Sequence, residues 1–135
     1  MINSAEEFVR LRVSEIPAEY GRAGNEEASL ATWMDVIRRF PDMKQWVIHN
    51  KTIHLEVLEL MAQDRSPAIR ARVAEKRKLS TELFDALSKD QSESVRVRLA
   101  HNQKAPTEVL TALANDEVEM VRHAAMASLS RRTEG

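Results

Sequence analysis

The strongest constraint in this sequence is a repeat with a period of 26 residues, running from about residue 43 to residue 127. When the chain is written in rows of 26, residues of the same chemistry fall into the same column. Three of the columns are charged: Asp64, Asp90 and Asp116; Arg70, Arg96 and Arg122; and Glu56, Glu82 and Glu108. Four others are apolar: Val57/Leu83/Val109, Leu58/Phe84/Leu110, Met61/Leu87/Leu113 and Val73/Leu99/Ala125. Agreement at so many positions, with no insertion, predicts a stacked array of one structural unit.

Each row predicts two short helices. In the third row, Val109, Leu110 and Leu113 lie on one face of the first helix, and the second helix runs from about Val118 to Met126. Helices of this length are marginal in water by themselves, so packing on neighbouring helices must stabilise them. Asn50 and Asn102 lie in the turns between rows, where we expect the left-handed conformation that often ends a helix.

The residues before the repeats predict a divergent helical cap over residues 1–42. Ser4 and Glu7 have the spacing of a capping box at the start of its first helix. A second helix is expected from about Ser29 to Phe40, after a loop over residues 16–28. The repeats then occupy residues 43–135, of which 130–135 are expected to be a frayed tail.

Composition supports an all-α fold. Good helix formers are abundant, while the chain has only three glycines and four prolines. The sequence contains no cysteine, which excludes disulfides, cysteine-ligated zinc, iron–sulfur clusters and thiol nucleophiles. The net charge is −1, with −3 in residues 1–42 and +2 in residues 43–135, and this difference is too small to identify a partner.

An Asp followed six residues later by an Arg, with an aliphatic residue just before the Arg, occurs three times in the repeats. This spacing resembles the signature of HEAT repeats, and the short rows are also similar to bacterial leucine-rich-repeat variants. The resemblance covers about residues 43–127. It implies an α-α superhelix of about three two-helix repeats, in which the Asp and Arg of successive repeats form a hydrogen-bonded ladder. Such repeats serve as scaffolds, adaptors and nucleic-acid binders, so the resemblance does not select a function.

The arginines divide into structural and binding candidates. Arg70, Arg96 and Arg122 recur together with the Asp column, which favours the ladder over an anion-binding stripe. Arg72 and Arg98 form a separate column that the ladder does not use, and we regard them as candidates for binding. The remaining binding candidates are Lys76, Arg77 and Lys78, beside Arg72 in the sequence, and Tyr20 in the predicted loop. Trp33 and Trp46 are expected to seal the cap.

We expect no enzymatic activity, cofactor or metal site. The sequence has no glycine-rich phosphate loop, nucleophile elbow or paired metal-ligand motif. It has no apolar run of the ~20 residues that a membrane-spanning helix needs, and its first residues lack the pattern of a signal peptide. A cytoplasmic protein is therefore the expectation.

Three classes of function remain open. The first is a protein-binding module that presents a helical-repeat surface to one partner, for example as a bacterial immunity or antitoxin-like protein. The second is a nucleic-acid-binding protein that uses Arg72, Arg98 and residues 76–78, although a pI near 6.4 makes its electrostatic footprint weak. The third is an accessory subunit of an enzyme. A homodimer through the alanine-rich last helix is a further expectation.

Overall fold

The structure is a computed structural model, and it describes residues 1–134. These residues form ten α-helices and one 3₁₀ turn (Pro41–Met43), and their only β pairing is an isolated bridge between Ile2 and Ala28. The helices are α1 (Ala5–Val13), α2 (Pro17–Asn25), α3 (Leu30–Arg39), α4 (Lys44–His49), α5 (Leu55–Met61), α6 (Pro67–Ala74), α7 (Thr81–Ser88), α8 (Glu93–Ala100), α9 (Thr107–Leu113) and α10 (Glu119–Glu134). The described chain is therefore all-α, which confirms the predicted fold class.

The chain divides into two compact units, Met1–Met61 and Ala62–Gly135. The division comes at the end of α5, inside the first predicted row. The sequence analysis divided the chain between residues 42 and 43, according to where the repeat begins. That division by repeat content stays a prediction, and the two compact units are described separately below.

In the second unit, each helix packs on the helix that follows 26 residues later. The second helices of the rows contact one another in the order α6, α8, α10, and the first helices α7 and α9 also pack together. The column Val73, Leu99 and Ala125 is fully buried along this series. The 26-residue period is therefore expressed in the packing, which is consistent with a helical repeat.

In the first unit, α1 packs against α2 and α3. The rings of Phe8 and Trp33 meet edge to face, with centroids 5.2 Å apart, and both side chains are fully buried. Ser4 begins α1 as its N-cap, because its hydroxyl oxygen accepts a hydrogen bond from the Glu7 amide at 3.1 Å. The Glu7 carboxylate accepts from the amide of Asn3 rather than that of Ser4, so the predicted reciprocal bond is shifted by one residue.

The predicted loop over residues 16–28 is wrong, because most of it is helix α2. Pro17 is the first residue of α2, where its fixed φ suits a helix and its missing amide proton costs nothing. Gly21 and Gly24, which suggested a loop, lie within the helix, and no described residue has a positive φ. Packing on α1 outweighs their low helix propensity.

The expected tail from residue 130 is helical as far as Glu134, while Gly135 lies outside the described residues. Side chains near the end of α10 form hydrogen bonds with residues that precede α9 in the sequence. The Ser128 hydroxyl donates to the Ala100 carbonyl at 2.6 Å, and the Arg132 guanidinium donates to the Ala105 carbonyl at 2.6 Å. These tertiary hydrogen bonds explain why the helix continues beyond the predicted end at Met126.

Candidate functional site

The Asp and Arg columns are joined between neighbouring rows of the second unit. Arg70 donates to both carboxylate oxygens of Asp90, from Nε at 2.9 Å and from Nη2 at 3.1 Å. Arg96 makes the same pair of bonds to Asp116, at 2.9 and 3.3 Å. In each pair the Arg and Asp side chains are at most 17% exposed. The guanidinium and carboxylate planes therefore meet in two parallel bonds, the geometry of a strong ion pair.

The same residues also fix the turn inside each row. The Asp64 carboxylate accepts from the amide of Ser66 at 2.9 Å, and Asp90 and Asp116 accept in the same way from the amides two residues further along. Each column arginine then donates through Nη1 to the carbonyl of the Asp in its own row, at 2.7 to 2.8 Å. Arg122 makes only this last bond, because the described chain has no further Asp of the column for it to reach.

The ladder also affects protonation. Burial raises the pKa of Asp116, but the hydrogen bonds from Arg96 and from the Val118 amide outweigh it and lower the pKa below its ordinary 3.8. The hydrogen bond to Asp90 raises the pKa of Arg70 above its ordinary value. Both shifts favour the charged forms. The columns therefore form an ionised network whose donors and acceptors face each other, so they offer little to an external ligand.

Asn50 and Asn102, which the sequence analysis placed in the turns between rows, make buried hydrogen bonds that it did not predict. Asn102 is buried, and its Nδ2 donates to the carbonyls of Ala74 at 2.8 Å and Lys76 at 2.7 Å. Asn50 has the same role in the first unit, where it donates to the carbonyls of Ala23 and Glu26. The predicted left-handed conformation is therefore wrong, and Asn50 has φ −59° and ψ 131°. Its side-chain amide satisfies carbonyls at the end of an earlier helix, which local turn statistics do not show.

The binding candidates of the second unit differ in exposure. Arg72, Arg77 and Lys78 are exposed, and none of their side chains makes a hydrogen bond or ion pair with another residue of the described chain. Arg98 is 52% exposed and forms an ion pair with Glu75. Lys76, by contrast, is half-buried, and this burial lowers the pKa of its amino group from the ordinary 10.5. Lys76 therefore belongs to the row junction rather than to the exposed basic surface.

Two of the predicted residues share a surface depression. Arg77 and Arg98 line a depression of about 340 Å³ together with Glu75, His101, Asn102 and Gln103. Arg72 lies one row before Arg98 in the same column, on a helix that packs directly against α8. We call the exposed residues Arg72, Arg77, Lys78 and Arg98 the basic surface.

Tyr20 belongs to the first unit. It is 44% exposed and lines a cavity of about 530 Å³ with residues of α1, α2 and α4. Sequence reasoning placed Tyr20 in a loop and gave it no neighbours. The cavity residues come from three separate stretches of the sequence and follow no period, so no sequence signal groups the three stretches.

Over residues 1–134, no cluster of three or more His, Asp or Glu side chains has the arrangement of a metal site. Among the same residues, no helix has the length and apolar character needed to cross a membrane. In comparisons with known proteins, no family model, curated protein or solved structure matches the chain. The HEAT-like resemblance therefore stays a prediction.

Proposed function

We propose that this chain is a non-enzymatic binding module whose second unit recognises an acidic surface of another protein. The observation that carries the proposal is the division of the arginines. Arg70 and Arg96 are mostly buried and paired with carboxylates, whereas Arg72 is exposed and has no partner in the described chain. The fold uses the first set and leaves Arg72, Arg77 and Lys78 of the basic surface available.

The basic surface has the chemistry of a protein contact. A guanidinium group presents several N–H donors in a plane that matches a carboxylate, and arginine is enriched in protein interfaces. Arg72 and Arg98 lie on the neighbouring helices α6 and α8, and Arg77 and Lys78 lie in the loop after α6, so one partner can contact two rows at once. The simpler alternative is that these side chains only interact with water, and the test below separates the two.

A protein partner fits better than nucleic acid. Glu75 lines the depression together with Arg77 and Arg98 and forms an ion pair with Arg98. A phosphate backbone would be repelled by this carboxylate, whereas a protein surface can offer a complementary charge of either sign. The net charge of −1 also provides no general attraction for a polyanion.

The repeat type and the compartment belong to the same proposal. The bonds from Arg70 to Asp90 and from Arg96 to Asp116 support a HEAT-like arrangement of the rows. A cytoplasmic location is part of this proposal, so the partner is sought among cytoplasmic proteins.

The experiment is affinity capture from native lysate followed by mass spectrometry, with three forms of the full chain. The test variant is Arg72→Glu/Arg98→Glu. The control variant is Arg65→Glu/Lys89→Glu, which makes the same change in net charge at exposed positions near the turns inside the rows. Circular dichroism checks that all three are folded.

We expect one protein to be retained by the wild type and the control and lost from the test variant. Equal retention by all three forms would refute a role for the basic surface. If nucleic acid alone is captured and salt removes it, the nucleic-acid alternative replaces the proposal, because backbone contacts weaken steeply with ionic strength.

A further inference from the structure

The cavity in the first unit has no role in the proposed function. Its volume is about 530 Å³, within the range of small-molecule sites. Arg12 comes from α1, Tyr20 from α2 and Trp46 from α4, so three helices form its walls. The other residues that line it are Gly21, Ala23, Gly24, Asn25, His49 and Lys51.

Arg12 is the unusual residue of this cavity. Its guanidinium carbon lies 3.4 Å from the centroid of the Trp46 ring, so the two planar groups stack. Its Nε is buried and has no hydrogen-bond partner, and within residues 1–134 the side chain forms no ion pair. A half-buried cation with unused N–H donors is costly unless something pairs with it. Stacking on Trp46 fixes the plane of the guanidinium, and its terminal N–H groups, which donate to no residue of the described chain, are left for a ligand.

The lining of the cavity is positively charged. Arg12 and Lys51 are cationic, and no Asp or Glu lines the cavity. Two carboxylates of this region are engaged elsewhere: Glu19 accepts from Ser14 and Arg10, and Glu26 accepts from Arg22. The Arg22 hydrogen bond and the amino terminus together lower the pKa of Glu26 to about 2. The charges that line the cavity therefore favour an anion.

The cavity also contains aromatic surface and free space. Tyr20 is partly exposed at its wall, and the rings of Trp46 and His49 meet edge to face with centroids 5.9 Å apart. A Cβ atom at Gly21 would meet no heavy atom within 4 Å, so this glycine leaves open a space that a side chain would occupy. Flat aromatic groups and open volume beside two cations suit a ligand that carries both a ring and a negative charge.

We propose that this cavity binds a small aromatic oxyanion, meaning a planar ring that bears a phosphate or carboxylate group. Arg12 and Lys51 contact the oxyanion, and Tyr20 lies beside the ring. A guanidinium held in a fixed plane can donate two parallel bonds to either type of oxyanion. Phosphate and carboxylate ligands share this chemistry, so the test includes one of each.

The test is a titration of the ¹⁵N-labelled full chain followed by NMR. The sequence has three glycines, of which Gly21 and Gly24 line the cavity, and glycine amides occupy a distinct region of the spectrum. The probes are adenosine 5′-monophosphate and indole-3-acetate, with adenosine and inorganic phosphate as the uncharged and ringless controls. We expect at least one of the two aromatic anions to shift the Gly21 and Gly24 resonances. Each control should bind at least ten times more weakly than that anion.

Variants locate the site. Arg12→Gln and Lys51→Gln should each weaken binding about tenfold or more, a loss of ~1.4 kcal/mol or greater. Arg38→Gln, an equal charge change at an exposed position of the same unit, should leave binding unchanged. If neither aromatic anion shifts the glycine resonances, or if binding is the same in both cavity variants as in the wild type, the proposal is wrong. Binding of inorganic phosphate as tight as that of the aromatic anions would refute the role of the ring.

Discussion

Two arginines on helix α6, two residues apart, should differ sharply in their contribution to stability. Arg70 donates to both oxygens of Asp90 and to the carbonyls of Asp64 and Arg65. Arg72 is exposed and makes no such bond in the described chain. We predict that Arg70→Met strongly destabilises the protein and that Arg72→Met does not. Methionine keeps the length and the helix propensity of the side chain, so the two substitutions differ mainly in the hydrogen bonds that they remove.

The magnitude follows from the geometry. The Asp90 side chain is 9% exposed in the wild type. In Arg70→Met its carboxylate keeps only the hydrogen bond from the Ser92 amide. Removing one partner of a buried ion pair costs about 3–5 kcal/mol. The Arg70 side chain is 17% exposed, so water can relieve part of the penalty, and we expect a loss of about 3 kcal/mol. Arg72→Met should change stability by about 0.5 kcal/mol or less, as is usual for an exposed position.

The assay is urea unfolding at equilibrium, followed by circular dichroism, for both variants and for Arg122→Met. Arg122 makes only the bond to the Asp116 carbonyl, so its loss should cost about 1 kcal/mol and lie between the other two. A double-mutant cycle of Arg70→Met with Asp90→Asn measures the coupling of the pair directly. Equal losses for Arg70→Met and Arg72→Met would show that the ladder does not stabilise the fold.

Two further predictions concern the buried polar groups. Asn102→Ala should lower the free energy of unfolding in urea by about 2–3 kcal/mol, because it leaves the carbonyls of Ala74 and Lys76 without their partner. Asn115→Ala, at an exposed position, should cost less than about 1 kcal/mol. Similar losses at both positions would contradict the proposed role of Asn102 at the junction. The pKa of Asp116 lies below its ordinary 3.8 in the folded chain, so on acidification this carboxylate is protonated in the unfolded chain before it is protonated in the folded one. The stability that the group contributes is therefore lost as the pH falls through and below 3.8. Urea midpoints measured from about pH 5 to about pH 3 should therefore fall less steeply for Asp116→Asn than for the wild type, and parallel curves would refute the assignment.

The sequence predicted the features that repeat. Helix positions, the buried apolar columns and the distinction between Arg70 and Arg72 all follow from a 26-residue period, because one structural solution is used several times. Helix α2 was missed because Gly21 and Gly24 indicate a loop when considered alone, and only contact with α1 explains why they are helical. Local turn statistics likewise could not reveal that Asn50 binds carbonyls more than 20 residues away in the sequence.

The cavity of the first unit could not be predicted either. Arg12, Tyr20 and Trp46 belong to three helices, and their approach depends on how those helices pack. The contact of Arg12 with the Trp46 ring has no counterpart in the repeated rows and therefore no period that could reveal it. The pairing of Arg98 with Glu75, which neutralises part of the positive charge of the basic surface, likewise has no period that could reveal it.

The most direct test of the proposed binding role is the affinity of the captured partner, measured by calorimetry for the wild type, Arg72→Glu/Arg98→Glu and the control Arg65→Glu/Lys89→Glu. If the basic surface contacts an acidic protein, the first variant should bind at least about 100-fold more weakly, a loss of ~2.8 kcal/mol, and the control should stay within about threefold of the wild type. Equal weakening by both variants would show that only net charge matters. Unchanged affinity in the first variant would show that the partner binds elsewhere, and the proposed role of the basic surface would be wrong.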